Sequence, residues 1–383
     1  MSHLTPQDKK KLNALYATLK ERSENFLGYP TTTFDYGDIE PFLKLPINNI
    51  GDPFGESRYG VNTHTLEREV LDFFADLYHI HSKNYWGYVT HGGTEGNMYG
   101  LYLARDICVD GIVYFSEDTH YSVPKIVRVL GMRHIIIRSQ ENGEMDYDDL
   151  RTAIRINRDK PVIVLANIGT TMKGGVDVIE KIERVLRESA IHRSYIHCDA
   201  ALGGMILPFV RHAPVFDFRT SVDSIAVSGH KFIGMPFPSG VVIAKKQNVE
   251  RVKAAIEYVG AADTTISGSR NGIASLMLWA AIRSLGRKGF EARAEHCLAL
   301  TRYAVAKISA IGWEARANDF YNTIVIRRPP QSIVKKWQLA VQDDIAHIVV
   351  MPHTQKIQID LLVKDLEAMP HKKKSQKQNR RIA

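Results

Sequence analysis

From Trp86 onward the chain alternates short apolar runs with longer stretches that are apolar only every third or fourth residue. The first kind reads as buried strand and the second as amphipathic helix. Seven strand candidates emerge: Tyr88–Thr90, Ile112–Phe115, His134–Ile137, Val162–Ala166, Tyr195–Cys198, Ser224–Val227 and Val241–Ala244. Helical stretches separate most of them, most clearly Asp148–Asn157 and Asp177–Ala190. Strands apolar on both faces, alternating with helices, predict a mainly parallel α/β sheet covered on both sides. Before it, Phe26–Asp52 is rich in Gly, Pro, Asn and Asp and reads as an extended arm. A helix follows at Thr65–His79, with Leu66, Val70, Phe73, Phe74 and Leu77 on one face. Met1–Asn25 is polar and helix-like, with Thr5-Pro6 as cap and first turn and no signal-peptide pattern. After Lys253 the pattern changes: one long helical segment from Gly272 to about Ser309, strands at Thr323–Ile326 and Ile345–Val350, and a last helix Gln358–Met369. This reads as a smaller α+β domain. The expected division is an arm and helix at 1–60, a large domain at 61–255, a small domain at 256–370 and a tail at 371–383.

Charge changes the picture only at the end. The net charge is +8, but six of the positive charges fall in 371–383, which has no acid. That tail is polar, lacks periodicity and reads as disordered. The body is near neutral and carries no basic-aromatic interleaving, so no nucleic-acid partner is expected. No run of about 18 apolar residues exists, so no membrane span is expected. Cys108, Cys198 and Cys297 lie far apart without CxxC spacing. That disfavours disulfides and metal ligation and fits a reducing cytoplasm.

Candidate chemistry sits at strand ends. Gly92-Gly93-Thr94-Glu95-Gly96-Asn97 joins a strand to a helix. Glycines admit an anion closely, and the helix N-terminus offers free N–H groups, which suits a phosphate. The spacing is neither GxGxxG nor GxxxxGK[ST], so nucleotide binding is disfavoured. His120 follows one strand and Thr170, in Asn167-Ile168-Gly169-Thr170-Thr171, follows another; both would face the crevice where α/β sheets bind ligands. Asp199 ends the Tyr195–Cys198 strand, and a buried carboxylate there requires a partner, either a bound cation or an arginine such as Arg193. Downstream stands Ser228-Gly229-His230-Lys231. A lysine just past a Ser-x-His turn, after a strand ending in aspartate, is the arrangement pyridoxal 5'-phosphate needs. The amine condenses with the aldehyde, and the carboxylate keeps the pyridine nitrogen protonated.

These segments, with Tyr85–His91, Asp118–Ser122, His197–Leu202 and Ile266–Gly272 in the same order, resemble the group II pyridoxal-phosphate-dependent amino acid decarboxylases of fold type I. The resemblance spans about residues 26 to 369 and is nearest the bacterial histidine decarboxylases and the plant histidine and serine decarboxylases. It implies a mainly parallel seven-stranded sheet. It also implies Lys231, His120 and Asp199 as catalytic residues, with Gly93, Thr94, Ser228, His230 and Thr170 around the cofactor. Tyr29, Asn48, Asn49 and Arg270 would bind substrate, with the Ser269-Arg270 turn serving a neighbouring subunit of a homodimer. The implied reaction is α-decarboxylation of L-histidine to histamine. The stretch around residues 51 to 61 departs toward the plant forms and keeps L-serine, giving ethanolamine, as the alternative. Aminotransfer is a third reading.

Overall fold

The computed structural model describes residues 4–251, 254–256 and 261–369. The predicted tail at 371–383 lies outside them. Seven strands form the main sheet: β1 (Tyr85–Thr90), β2 (Ile112–Ser116), β3 (Arg133–Ile137), β4 (Val162–Asn167), β5 (Ser194–Asp199), β6 (Ser224–Ser228) and β7 (Gly240–Lys245). Their order is β1-β7-β6-β5-β4-β2-β3. Only β7 runs against its neighbours; the other pairs are parallel. Every predicted strand is present, usually a residue or two longer; all but the edge strand β3 are buried on both faces, and such apolar runs leave little ambiguity of type.

The helices are α1 (Pro6–Ser23), α2 (His64–Leu77), α3 (Gly93–Ile107), α4 (Ser122–Val129), α5 (Tyr147–Ile156), α6 (Ile179–Glu188), α7 (Lys246–Val249), α8 (Gly272–Ala310), α9 (Gln331–Trp337) and α10 (Lys356–Glu367). One core gathers Phe74, Val164, Ile196 and Val227 with α8 residues such as Leu278. A second, beneath α3 and α4, holds Tyr99, Phe115, Val127, Leu165 and Tyr195. A hairpin, β8 (Ala254–Ile256) and β9 (Ala261–Asp263), precedes α8. The C-terminal sheet is antiparallel, in the order β10 (Ala315–Ala317), β11 (Thr323–Arg327), β13 (Ile345–Val349), β12 (Ala340–Gln342).

Two expectations change. The long segment from Gly272 is broken at Gly286, whose φ of 58° and ψ of −177° lie outside any helix. Apolar periodicity runs on through such a break, so the pattern alone does not mark it. The extended arm contains a 3-10 helix at Gly37–Lys44, seated by Ile39.

Candidate active site

Strand ends β1, β4, β5 and β6 and the N-terminus of α3 enclose a polar cavity of about 290 Å³. It brings together eight residues singled out from the sequence: Gly93, Thr94, His120, Thr170, Asp199, Ser228, His230 and Lys231.

One end is built for an anion. Gly92 precedes α3 as its cap, with a φ of 137° that favours glycine, and its position supplies no side-chain bond to the first turn. A Cβ on Gly93 would lie 2.7 Å from Ser228 Oγ, so any side chain would fill the space between turn and hydroxyl. His230 lies beside it with Nδ1 against Ser239, 3.1 Å from the carbonyl and 3.3 Å from the amide nitrogen. Burial lowers its pKa, with Lys231 adding and the Ser239 carbonyl opposing.

The other end is a carboxylate. Asp199 closes β5; its Oδ2 accepts from Asn97 Nδ2 at 2.7 Å and its Oδ1 from the Ala201 amide at 3.2 Å. The arginine alternative does not hold: the Arg193 side chain donates to the Ile107 carbonyl at 3.5 Å, and among the described residues it forms no ion pair with Asp199. Lys231 lines the same cavity, and among the described residues its Nζ has no hydrogen-bond or ion-pair partner. Burial lowers its pKa against the attraction of Asp199. A cation left without an anion touching it is costly, and the cost marks a group held for reaction.

His120 forms part of the wall. Its Nδ1 meets Ser122 Oγ at 2.8 Å and the Ser122 amide at 3.3 Å, which makes Nδ1 the acceptor and leaves the proton on Nε2. Burial depresses this histidine, Asp199 opposes and Lys231 assists. An ion pair from Lys173 to Asp118, 2.8 Å, ties the His120 turn to the loop after β4. Thr170 faces the cavity while its hydroxyl accepts from the Gly175 amide at 2.9 Å.

The residues expected to bind substrate are not brought here. Tyr29 is exposed and stacked on Phe26. Asn48 joins the 269–271 turn through Ser269 and the Arg270 amide. Asn49 is buried against Glu67 and Ser275. Arg270 departs most: its side chain is fully enclosed, ion-paired with Glu67, bonded to the Gly51 carbonyl at 2.9 Å and seated over Tyr88. Neutralised and enclosed, it has no charge to offer a carboxylate in this cavity.

The cavity also contains residues not singled out, chiefly Asn97, Asn167 and Tyr121. Asn97 had a signal: it lies one helical turn after Gly93, hence on the same face of α3. Asn167 donates to Ser116, Thr119 and Asp177 and so knits β2 to β4.

An open anion cradle, a carboxylate held by neutral donors and an unpaired amine in one cavity define a site for a phosphorylated, cationic aldehyde. The chain belongs to the pyridoxal-dependent decarboxylase family, whose conserved domain matches residues 47–315. It is 47% identical over 364 residues to the histidine decarboxylase of Mesorhizobium japonicum, covering 95% of this chain and 98% of that one. It is 44% identical to the histidine decarboxylase of Morganella morganii, covering 95% and 98%. The L-methionine decarboxylase of Streptomyces sp. 590, solved in its internal aldimine form, superposes with a TM-score of 0.87 at 27% identity, over 96% of this chain and 95% of that one. The glutamate decarboxylase of Lactobacillus brevis shares the fold, with a TM-score of 0.79 at 18% identity over 97% and 95%. Pyridoxal 5'-phosphate is the cofactor of this family and of this chain. No helix among the described residues is long and apolar enough to cross a membrane.

Proposed function

We propose that this chain removes the α-carboxylate of L-histidine, giving histamine and CO₂, with Lys231 as the residue that carries the cofactor. The observation behind the substrate is the set of relatives named histidine decarboxylase, 43–47% identical to this chain over 95% of its length. The cofactor, when bound, supplies a sink for the electron pair left on Cα when CO₂ departs.

The chain's residues divide the remaining work. The open first turn of α3 at Gly93 and Thr94, with Ser228 and His230, would hold the phosphate. Asp199 would face the pyridine nitrogen and keep its proton there. The depressed pKa of Lys231 raises the neutral fraction of its amine, the form able to attack a carbonyl. His120 would lie over the ring and hold or move a proton at Nε2. Thr170 would border the ring's edge.

The working unit on this reading is a homodimer. Helix α1 buries none of its residues, and Leu12, Leu15, Tyr16 and Leu19 stand exposed on one stripe that a second copy would cover. Three buried free cysteines fit a reducing cytoplasm.

The test is the protein loaded with pyridoxal 5'-phosphate and offered a panel of L-amino acids, scoring CO₂ and amine. Histamine from histidine is the expected result. Ethanolamine from serine would move the substrate to the alternative, and a keto acid without CO₂ would overturn the reading.

A further inference from the structure

Behind Asp199 runs a buried file of polar side chains that the chemistry above does not use. Tyr195, His197 and Asp199 alternate along β5 and so share one face. Ser224 on β6 is the register partner of His197. Tyr195 OH donates to Ser224 Oγ at 2.9 Å. Ser224 Oγ lies 2.7 Å from His197 Nδ1. His197 Nε2 lies 3.0 Å from Asn97 Oδ1, and Asn97 Nδ2 donates to Asp199 Oδ2 at 2.7 Å. Tyr195, Ser224, His197 and Asn97 are each at most 1% exposed, so the file is closed to bulk solvent.

The direction of every bond follows from one end. An ionised Asp199 only accepts, so Asn97 must turn its NH₂ toward it and its carbonyl toward His197. His197 must then carry its proton on Nε2, which leaves Nδ1 to accept from the Ser224 hydroxyl. Ser224 in turn accepts from Tyr195. Four donors therefore point along one line toward the carboxylate, and bonds aligned this way strengthen one another. Burial agrees with a neutral ring: it lowers the His197 pKa to about 4, against the pull of Asp199 and Ser224.

We propose that Asn97 and His197 are positioning residues, whose file from Tyr195 through Ser224 holds the Asp199 carboxylate aimed into the cavity. This rests on the reading that Asp199 faces the cofactor's ring nitrogen. Nothing in the file moves a net proton: each member keeps its own. What the file supplies is orientation and a neutral source of hydrogen bonds, so the carboxylate stays free of a competing cation until the cofactor arrives. An arginine in place of Asn97 would neutralise the same charge and remove the reason for a pyridinium to bind.

The test uses the full-length protein, with pyridoxal 5'-phosphate itself as the probe. In His197→Leu and Asn97→Leu, cofactor affinity read from its visible absorption on titration should fall about ten- to a hundredfold, the scale of a lost hydrogen bond to a charged group. His197→Gln, whose amide can still donate to Asn97, should recover most of it. Wild-type affinity in both leucine variants overturns the proposal. A leucine in this place can also cost folding, so a second measurement needs only the native holoenzyme and Ser224→Ala. With ¹⁵N-labelled histidine, the ring that shifts in S224A should be a neutral Nε2–H tautomer in the native protein. A proton on Nδ1, or a doubly protonated ring at neutral pH, overturns the proposal. Failure of the underlying reading looks different: Lys231→Ala would keep the native cofactor band, or the native chain would not bind the cofactor at all.

Discussion

The molecule buries charge in two places and treats them in opposite ways. Beneath the N-terminal arm, Glu67 and Arg270 are both fully enclosed and paired. Glu67 also accepts from the Val89 amide at 2.9 Å and from Asn49 Nδ2 at 2.7 Å, and Arg270 donates to the Gly51 carbonyl. At the strand ends, Asp199 meets only neutral donors, and Lys231 meets no partner among the described residues. Charge that must stay put is paired, because an enclosed ion without its partner is strongly destabilising. Charge that must meet a ligand is left half-answered, at a cost to the free protein that binding then relieves. The first cluster fastens the arm to the start of α8; the second is a site.

The largest effect should come from the half-answered side. Lys231→Ala should abolish turnover and the protein's hold on the visible cofactor band, while the melting temperature stays close to native, since among the described residues the amine makes no hydrogen bond or ion pair to lose. A decarboxylation assay beside calorimetry reads both. A variant that still turns over would break the comparison. On the paired side the pattern reverses. Glu67→Gln leaves Arg270 enclosed without its anion, which should cost about 3–5 kcal/mol. That corresponds to a fall in melting temperature on the order of ten degrees. At temperatures where the variant stays folded, cofactor affinity should be near native. A cost below about 1 kcal/mol would mean the cluster does not fasten the arm.

This contrast also separates what was legible in the sequence from what was not. The main sheet could be read because its strands, the exposed edge strand β3 apart, are apolar on both faces. The residues of the half-answered site could be read because they fall at strand ends and in a glycine turn, where local pattern and chemistry coincide. Arg270 could not be placed. The family resemblance put the Ser269-Arg270 turn at a substrate site, and only the packing of α2 against β1 and α8 reveals Glu67 enclosed beside it. Glu67 itself reads as an ordinary polar position on an amphipathic helix. The break at Gly286 was hidden for a related reason: apolar periodicity records burial, while a left-handed φ is a property of one backbone position. His197 lay in plain view two residues before Asp199 on one strand, yet its role depends on Asn97 from a different element.

Acid titration sharpens the comparison further. In the unfolded chain a histidine takes its proton near about 6.5, whereas His197 in the folded protein does so only near about 4. Between those values the unfolded state binds more protons. The contribution of His197 to stability is therefore full above about 6.5 and is lost as the pH falls toward 4. Its share is about 3 kcal/mol. His197→Gln should flatten the loss of stability between neutral pH and pH about 4.5, measured by denaturant unfolding at each pH. An unchanged slope would assign the acid sensitivity to other buried rings, such as His64, which burial depresses in the same direction.

The smallest expected effect probes the file's packing. Gly100 stands in the middle of α3, where glycine is a poor helix former, and Gly100→Ala should by propensity alone gain up to about 1 kcal/mol. Yet a Cβ there would lie 2.2 Å from His197 Nδ1. The ring has nowhere to go: it is fully buried and held at both nitrogens. Overpacking of this kind typically costs about 1–3 kcal/mol, so it outweighs the propensity gain and the net change should be a loss of about 1 kcal/mol. The affinity for pyridoxal 5'-phosphate should fall with it, because a displaced ring lets go of Asn97. Placed in a His197→Gln background, where the glutamine side chain can bend away, the same alanine should cost less. The double-mutant cycle should return a coupling of at least about 0.5 kcal/mol. Strict additivity would mean that Gly100 acts on the helix alone, and that its absent side chain is not what makes room for His197.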